Sequence, residues 1–258
     1  MGRKTIRITR KDGSPVVGQA VKFDMQKHEF LFGGGMFEAV EYASGEMSDP
    51  AKREAFERVF EKWIAIMNNA TLPFYWGRFE PAEGQPRTSQ TLAGAKFLKD
   101  HGVTLKGHPL CWHTVCADWL MKYPTDVILQ KQLARIRRDV ADFKGLIDMW
   151  DVINEVVIMP VFDKYDNAVT RICKQLGRVK TVREVFTAAR DTNPDATLLI
   201  NDFNLSPSYQ ILIDGCLNAG VPIDEIGLQT HQHQGYMGKE KLLEVLERFE
   251  VFGKPLHF

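Results

Sequence analysis

Glu155 stands out among the polar residues of this sequence, because it directly follows Asn154 at the end of the apolar stretch Met149–Ile153. Burying a carboxylate without a partner is costly, so a carboxylate in this position calls for a specific role. In glycoside cleavage one carboxylic acid protonates the leaving oxygen while a second carboxylate attacks the anomeric carbon. We therefore take Glu155 as the first candidate for catalysis of this kind.

Polar and aromatic residues also follow other apolar stretches of the chain. Those that could serve a site are His108, Trp112 and His113, then Asn154 beside Glu155, then Asn201, Asp202 and Asn204, and finally Gln229, His231 and His233. Brought together at one rim, four such groups would form a polar cavity with aromatic walls. Tryptophans that follow strands, such as Trp76 and Trp112, offer flat faces for sugar rings.

The sequence contains no motif typical of a cofactor-binding or metal-binding site. The sequence has no phosphate-binding loop and no His-Glu-x-x-His, and Cys111 and Cys116 lack the second pair expected of a zinc site. We expect no cofactor and no metal. A metal-dependent barrel hydrolase that gathers histidines from several strands, among them His108 and His231, stays open as an alternative.

The composition narrows the class of protein. The chain of 258 residues carries 33 basic and 33 acidic side chains and no basic run interleaved with aromatics, so no nucleic-acid partner is expected. No apolar stretch approaches the roughly 20 residues of a membrane span, and no apolar signal-peptide core follows the first residues. Four widely spaced cysteines do not indicate a disulfide framework. We expect a soluble chain with no membrane partner.

Short apolar runs alternate with amphipathic stretches along the chain. The runs that predict strands are Phe30–Phe37, Ala65–Phe74, Thr104–Cys111, Leu146–Ile153, Thr197–Phe203, Glu225–Gln229 and Pro255–Phe258. The stretches that predict helices are Pro50–Trp63, Thr91–Asp100, Thr125–Phe143, Lys164–Leu176, Val182–Asp191, Pro207–Ala219 and Lys239–Phe252. Apolar strands separated by helices indicate a parallel sheet whose outer side is covered.

Two α/β folds fit this alternation, an open doubly wound sheet and a (β/α)8 barrel. Gly33–Gly35 is too compact for the Gly-x-Gly-x-x-Gly fingerprint of a doubly wound dinucleotide-binding sheet, so we favour the barrel. We predict a (β/α)8 TIM barrel over residues 29–258 that reaches its seventh strand. A small N-terminal β-hairpin attachment is expected over residues 1–28, with its turn at Lys11–Pro15.

Four motifs resemble, in order and spacing, those of glycoside hydrolase family 10. They are Gly107–His113, Trp150–Glu155, Asn201–Asn204 and Gly227–His231. The resemblance extends from about Phe30 to Phe258, and it implies a retaining endo-β-1,4-xylanase whose substrate is a polysaccharide or oligosaccharide. It also implies secretion or a periplasmic location.

The resemblance implies roles for individual residues. Glu155 would be the general acid/base, and Asn154 would bind the sugar next to the scissile bond. His108 and Trp112 look like walls of the glycone side, while Gln229 and His231 would hold the substrate 2-hydroxyl and the nucleophile. From their positions after strands, Trp76 and Asn204 are also expected to contact substrate. Asp151 is instead expected to tie its strand to a neighbouring strand.

The chain departs from the family pattern in two places. Where the family has a Glu-Asn pair and a Lys before a Trp, all contacting glycone sugars, this sequence reads Asn69–Trp76. Within it, Phe74 and Tyr75 are equally compatible with a stacking platform and with core packing. The family nucleophile, a Glu in a Thr-Glu pair, would come just after Phe258.

These departures leave rival interpretations open. We expect a further polypeptide segment to complete the barrel and supply the nucleophile, with the 258 residues being a fragment or one part of a split barrel. A barrel without all its strands would expose two sheet edges. The main rival function is a non-catalytic β-glycan-binding protein, or an inactive fragment, built on the same cleft.

Overall fold

The computed structural model describes residues 5–24, 26, 28–233 and 235–258. The chain divides into two compact units, one over Met1–Leu31 and one over Phe32–Phe258. In the described part of the first unit, a single antiparallel bridge joins Thr9 and Pro15 across a turn. The turn lies where the sequence predicts it, but these residues do not form the longer ladder expected of a hairpin. Part of the predicted attachment over residues 1–28 lies outside the described residues.

The second unit contains the seven strands and all the helices of the described residues. The strands are β1 (Gly33–Gly35), β2 (Asn69–Pro73), β3 (Thr104–His108), β4 (Met149–Asn154), β5 (Thr197–Asp202), β6 (Glu225–Leu228) and β7 (Leu256–His257). The α-helices are α1 (Glu38–Ala43), α2 (Pro50–Ile64), α3 (Trp76–Phe79), α4 (Thr88–Asp100), α5 (Thr125–Asp142), α6 (Ala168–Leu176), α7 (Arg178–Thr192), α8 (Pro207–Asn218) and α9 (Lys239–Glu250). Short 3₁₀ helices cover Asp118–Lys122 and Met159–Val161.

The strands form one parallel sheet in sequential order from β1 to β7. The register continues from strand to strand, since Asn154 pairs with Asn201 and Asn201 pairs with Gly227. Parallel neighbours in chain order, each joined through a helix, are the arrangement of a (β/α)8 barrel wall. The predicted fold class is confirmed. Six of the seven predicted strands contain a shorter observed strand, while β4 starts later than predicted and extends one residue further, to Asn154.

The predicted helices are all present, and their boundaries follow local capping signals. α2 begins at Pro50 because the side chain of Asp49 accepts a hydrogen bond from the Ala51 amide at 2.9 Å. Ser206 caps α8 in the same way ahead of Pro207. α7 begins at Arg178, earlier than its apolar periodicity predicts, and α1 and α3 are too short for periodicity to reveal. No helix of the described residues is long and apolar enough to span a bilayer.

Arg135 anchors the loop that follows β3, where several candidate residues lie. Arg135 of α5 is 3% exposed and donates from Nη1 to the carbonyl oxygen of Leu110 at 2.6 Å. Its charge is balanced by Asp139, with Nε and Oδ2 3.0 Å apart. Within the sheet, β3 and β4 approach closely at Gly107, where a Cβ would lie 2.2 Å from the Trp150 ring. This packing determines where the ends of β3 and β4 lie relative to each other.

Candidate active site

The candidate residues gather at the carboxyl ends of β3, β4, β5 and β6. His108 ends β3, Asn154 ends β4, Asp202 ends β5, and Gln229 follows β6 directly. Carboxyl ends of parallel strands meet at one edge of the sheet, and this edge carries the active site in barrel enzymes. The tertiary structure therefore brings together residues that are more than a hundred positions apart in the sequence.

Glu155 leaves the sheet in a conformation that is unusual for a residue with a side chain. Its φ is +57°, in the left-handed region, and its amide donates to the carbonyl oxygen of Asn201 at 2.8 Å. Two residues later, the Val157 amide donates to Oδ2 of Asp202 at 2.9 Å. Backbone strain of this kind costs on the order of 1–3 kcal/mol and persists only where the surroundings enforce it. β5 supplies both hydrogen bonds that hold this turn.

The Glu155 carboxyl group lies in a largely enclosed setting, with its side chain 16% exposed. The Trp112 indole Nε1 donates to Oε2 at 2.8 Å, and the neighbouring His113 Nε2 lies 3.9 Å from the same oxygen. Burial raises the pKa of Glu155, while hydrogen bonds from Trp112 and Gln229 and the charges of His108 and His231 oppose that rise. A carboxyl group with a raised pKa is suited to general acid catalysis.

His113 is a neutral neighbour of this carboxyl group. It is 1% exposed, and burial lowers its pKa to about 4. Its ring packs against Phe162 with centroids 4.4 Å apart. Above pH 4 it therefore adds no positive charge that would stabilise the ionised form of Glu155. This neutrality helps to keep the pKa of Glu155 raised.

A chain of amides links Asn154 to β5 and to the residues after β6. The Asn154 Oδ1 accepts from Asn201 Nδ2 at 3.0 Å and from Gln229 Nε2 at 2.8 Å. Gln229 Oε1 in turn lies 3.0 Å from Nε2 of His231. Since both lone pairs of Asn154 Oδ1 are engaged, its amide nitrogen is the group left to donate to a ligand.

Asp151 connects β4 to β3, the strand-tying role expected from the sequence. It is 1% exposed, and its Oδ2 lies 2.7 Å from His108 Nδ1 and 3.1 Å from Lys106 Nζ. Burial disfavours the charge, but Lys106 and His108 hold the pKa of Asp151 well below its ordinary value. The carboxylate fixes the His108 ring at the mouth of the site, leaving Nε2 on the opposite side of the ring.

One of the predicted substrate contacts, Trp76, needs correction. Trp76 is 4% exposed, donates from Nε1 to Oε2 of Glu80 at 3.1 Å and packs edge-on against Trp119. A ring enclosed in this way has no face to present to a sugar, so it belongs to the core. Asn204 uses its Oδ1 to accept from the Ser206 amide at 3.1 Å, which shapes the turn before α8. Its contact with substrate stays a prediction.

The structure defines the surroundings of two further residues at the site, Asp202 and Tyr75. Asp202 is fully buried, and burial raises its pKa to about 6, with the Glu155 charge adding to the rise. Tyr75 is half-buried and lies with its ring centroid 5.7 Å from that of Trp112. The sequence marks Asp202 as one of several polar residues at a strand end, and it does not distinguish Tyr75 from the core residue Phe74.

The described residues contain no group of three or more His, Cys, Asp or Glu side chains placed to hold a metal ion. Of the histidines in the metal-dependent alternative, His108 engages Asp151 and His231 engages Gln229. The arrangement around Glu155 is one of hydrogen-bonded carboxyl groups, amides and aromatic rings. It is suited to binding a polyhydroxylated ring and transferring a proton to it.

This fold and this rim define a glycoside hydrolase barrel, and sequence comparison shows which family. The model of glycosyl hydrolase family 10 matches residues 35–258, so the chain belongs to that family and the resemblance seen in its motifs is confirmed. The endo-1,4-β-xylanase/feruloyl esterase of Xylanibacter ruminicola is 26% identical over 235 residues, covering 82% of this chain and 31% of the relative. Endo-1,4-β-xylanase 3 of Hypocrea jecorina is 30% identical over 168 residues, covering 62% of this chain and 47% of the relative.

Solved structures show the same fold. The family 10 structure from Paenibacillus barcinonensis superposes with a TM-score of 0.70 at 23% identity, covering 88% of this chain and 68% of that one. Xylanase 10B from Thermotoga maritima gives a TM-score of 0.67 at 24% identity, covering 78% of this chain and 64% of that one. The alignments with the two curated relatives span only 31% and 47% of those proteins.

Proposed function

We propose that this chain carries the acid/base half of a retaining glycoside hydrolase that cleaves β-1,4-linked xylan. The observation that carries the proposal is the Glu155 carboxyl group, enclosed at the end of β4 and bonded to Trp112 at 2.8 Å. The xylanase names of the relatives support xylan as the polysaccharide.

Glu155 would act in both steps of the reaction. Its carboxyl proton would pass to the glycosidic oxygen as the bond to the anomeric carbon breaks, and the resulting carboxylate would then take a proton from the attacking water. The amide nitrogen of Asn154 would donate to a sugar hydroxyl next to the scissile bond. His231, joined to Asn154 through Gln229, would orient this amide chain.

The second carboxylate would come from polypeptide beyond these 258 residues. Two carboxylates lie near Glu155 in the sheet, Asp151 within β4 and Asp202 at the end of β5. They are 1% and 0% exposed and are engaged by protein donors. Neither can reach an anomeric carbon. In a retaining enzyme the nucleophile would lie roughly 5–5.5 Å from the acid/base carboxyl group.

The deciding experiment follows the anomeric protons of xylo-oligosaccharides by NMR, with the chain alone and with any segment that completes the barrel. We expect the product to be released first in the β-configuration. Substituting the nucleophile in the completed protein should abolish this release. Release of the α-anomer first would contradict the retaining mechanism. Perturbed sugar resonances without any cleavage in the completed protein would instead identify a glycan-binding protein.

The role of Glu155 can be separated from general damage to the site. Glu155→Gln should lose cleavage of substrates with poor leaving groups and retain it for aryl glycosides with good ones, since only the former need protonation. Glu83→Gln is the matched control, because Glu83 pairs with Lys122 and Lys131 outside the cluster around Glu155. Equal losses on both substrate types would contradict the assignment.

The secreted or periplasmic location stays a proposal that cell fractionation can test.

A further inference from the structure

An aromatic group borders the catalytic cluster on the side of β1, β2 and β3. Tyr75 follows β2, and its ring lies edge-on to Phe37 at a centroid distance of 6.0 Å and edge-on to His108 at 5.6 Å. It also lies 5.7 Å from the Trp112 ring, whose Nε1 donates to Glu155. Tyr75 is thus separated from the acid/base candidate by one aromatic residue.

The exposure of these rings shows that Tyr75 does not serve only as core packing. Phe74, the preceding residue, is completely buried against Phe79, Phe143 and Trp150. Successive residues of an extended segment point to opposite sides, so Tyr75 points away from that core. It is half-buried, and Phe37 beside it is 37% exposed. The pair therefore presents an aromatic surface beside the site.

The polar groups around this surface are mostly engaged already. His108 Nδ1 is held by Asp151, and Trp112 Nε1 is held by Glu155. Lys106 is also bound to Asp151. The Lys106 ammonium has further N–H groups beside the one that faces Asp151, and His108 Nε2 lies on the side of its ring away from that carboxylate. The Arg78 guanidinium carbon lies 6.0 Å from the Tyr75 ring centroid, so a ligand here would meet aromatic rings together with this cation and the His108 imidazole.

We infer that Tyr75, braced by Phe37, is a stacking platform for a pyranose ring and recognises the apolar face of the sugar rather than its pattern of hydroxyl groups. The inference rests on the proposed function and specifies how that site selects its substrate. Pyranoses whose hydroxyls are all equatorial carry only axial C–H groups on both faces, which suits an aromatic surface. The ligand class is therefore β-linked xylose and glucose chains, with rings bearing an axial hydroxyl bound less well.

The test measures binding of xylotriose and cellotriose, with mannotriose as the axial-hydroxyl comparison, by titration and by saturation-transfer NMR. Tyr75→Ala should weaken xylotriose and cellotriose by the same factor, roughly tenfold, and remove saturation transfer to the axial sugar protons. Tyr75→Phe, which keeps the ring and loses the hydroxyl, should bind within twofold of the wild type. Tyr75→Leu keeps apolar bulk against Phe37 and serves as the replacement if the alanine variant does not fold. It should show the same roughly tenfold loss of binding.

The results separate this inference from the proposed function. Unchanged binding by the alanine and leucine variants, or an equal loss in Tyr75→Phe, would overturn the platform. Mannotriose binding as tightly as xylotriose would overturn recognition by the apolar face. If the completed protein binds xylotriose through Tyr75 but never cleaves it, the hydrolase proposal fails and the platform stands. A wild-type chain that binds none of the three sugars overturns both.

Discussion

The indole nitrogen of Trp112 donates a hydrogen bond to Oε2 of Glu155 across 2.8 Å. This contact opposes the main influence on the carboxyl group, because burial raises the pKa of Glu155 and a donated hydrogen bond lowers it. In the proposed mechanism this balance would let the residue give and take a proton within one reaction cycle. Trp112 would then act on the chemistry as well as lining the site.

Replacing Trp112 by Phe should raise the pKa of Glu155 further, because the indole hydrogen bond stabilises the ionised carboxylate and its loss leaves the effect of burial less opposed. Titration of the Glu155 side chain by carbon-detected NMR measures this directly. Trp119→Phe is the matched control, since the Trp119 Nε1 bonds instead to the carbonyl oxygen of Glu80. A pKa that falls or does not change in Trp112→Phe would show that this contact does not stabilise the ionised form.

Asp202 should make the stability of the protein depend on pH between about 4 and 6. Burial raises its pKa from 3.8 to about 6, so folding favours the neutral acid. Its contribution is therefore complete below pH 4 and is lost as the pH rises through 6, a change of about 3 kcal/mol.

Urea unfolding at several pH values compares the wild type with Asp202→Asn, which removes this titration. The difference in free energy of unfolding between them should change across pH 4–6 in favour of the variant as the pH rises. The substitution also replaces one of the two carboxylate oxygens that accept from Val157 and Asn204, so a constant loss is expected in addition. Asp163→Asn, at an exposed position, controls for the removal of a charge. A pH-independent difference would refute the raised pKa.

Substitution by Phe should mainly reduce stability at Trp76 and mainly reduce sugar binding at Trp112. Trp76→Phe leaves Glu80 without its indole donor in a buried cluster, so the free energy of unfolding should fall by about 1–3 kcal/mol. Sugar binding should not change, because Trp76 is buried away from the cleft. Trp112→Phe should weaken xylotriose binding with a smaller effect on stability. Paired titration and urea unfolding of both variants test this, and weaker binding in Trp76→Phe would restore the original prediction.

Gly107→Ala should destabilise the protein by about 1–3 kcal/mol or more, because the added Cβ would lie 2.2 Å from the Trp150 ring. The displaced ring would shift β4 and with it Asn154 and Glu155. Gly34→Ala is the matched control, since a Cβ on that strand glycine has no atom within 4 Å. Urea unfolding of both variants gives the comparison. Equal stabilities would mean that the sheet relaxes around the extra methyl group.

Local signals in the sequence were enough for the elements and for the order of the motifs. The runs around β4 and β5, and the capping residues Asp49 and Ser206, predict structure from neighbouring residues alone. Short-range packing and backbone preferences act within a few positions, so they leave a readable periodic pattern. Glu155 and Asn154 were identified because a polar pair at the end of an apolar strand is unusual in itself.

The tertiary structure decided the roles that depend on partners distant in the chain. Trp76 and Tyr75 are adjacent aromatic residues after the same strand, yet one is enclosed beside Glu80 and the other lies beside His108 and Trp112. The burial of Asp202 and the engagement of Asn204 are likewise set by how the end of β5 packs and turns. The sequence by itself determined the family, the barrel wall and the acid/base candidate. Which side chains face the cleft was decided by packing between elements, because exposure and pKa depend on neighbours that no local pattern specifies.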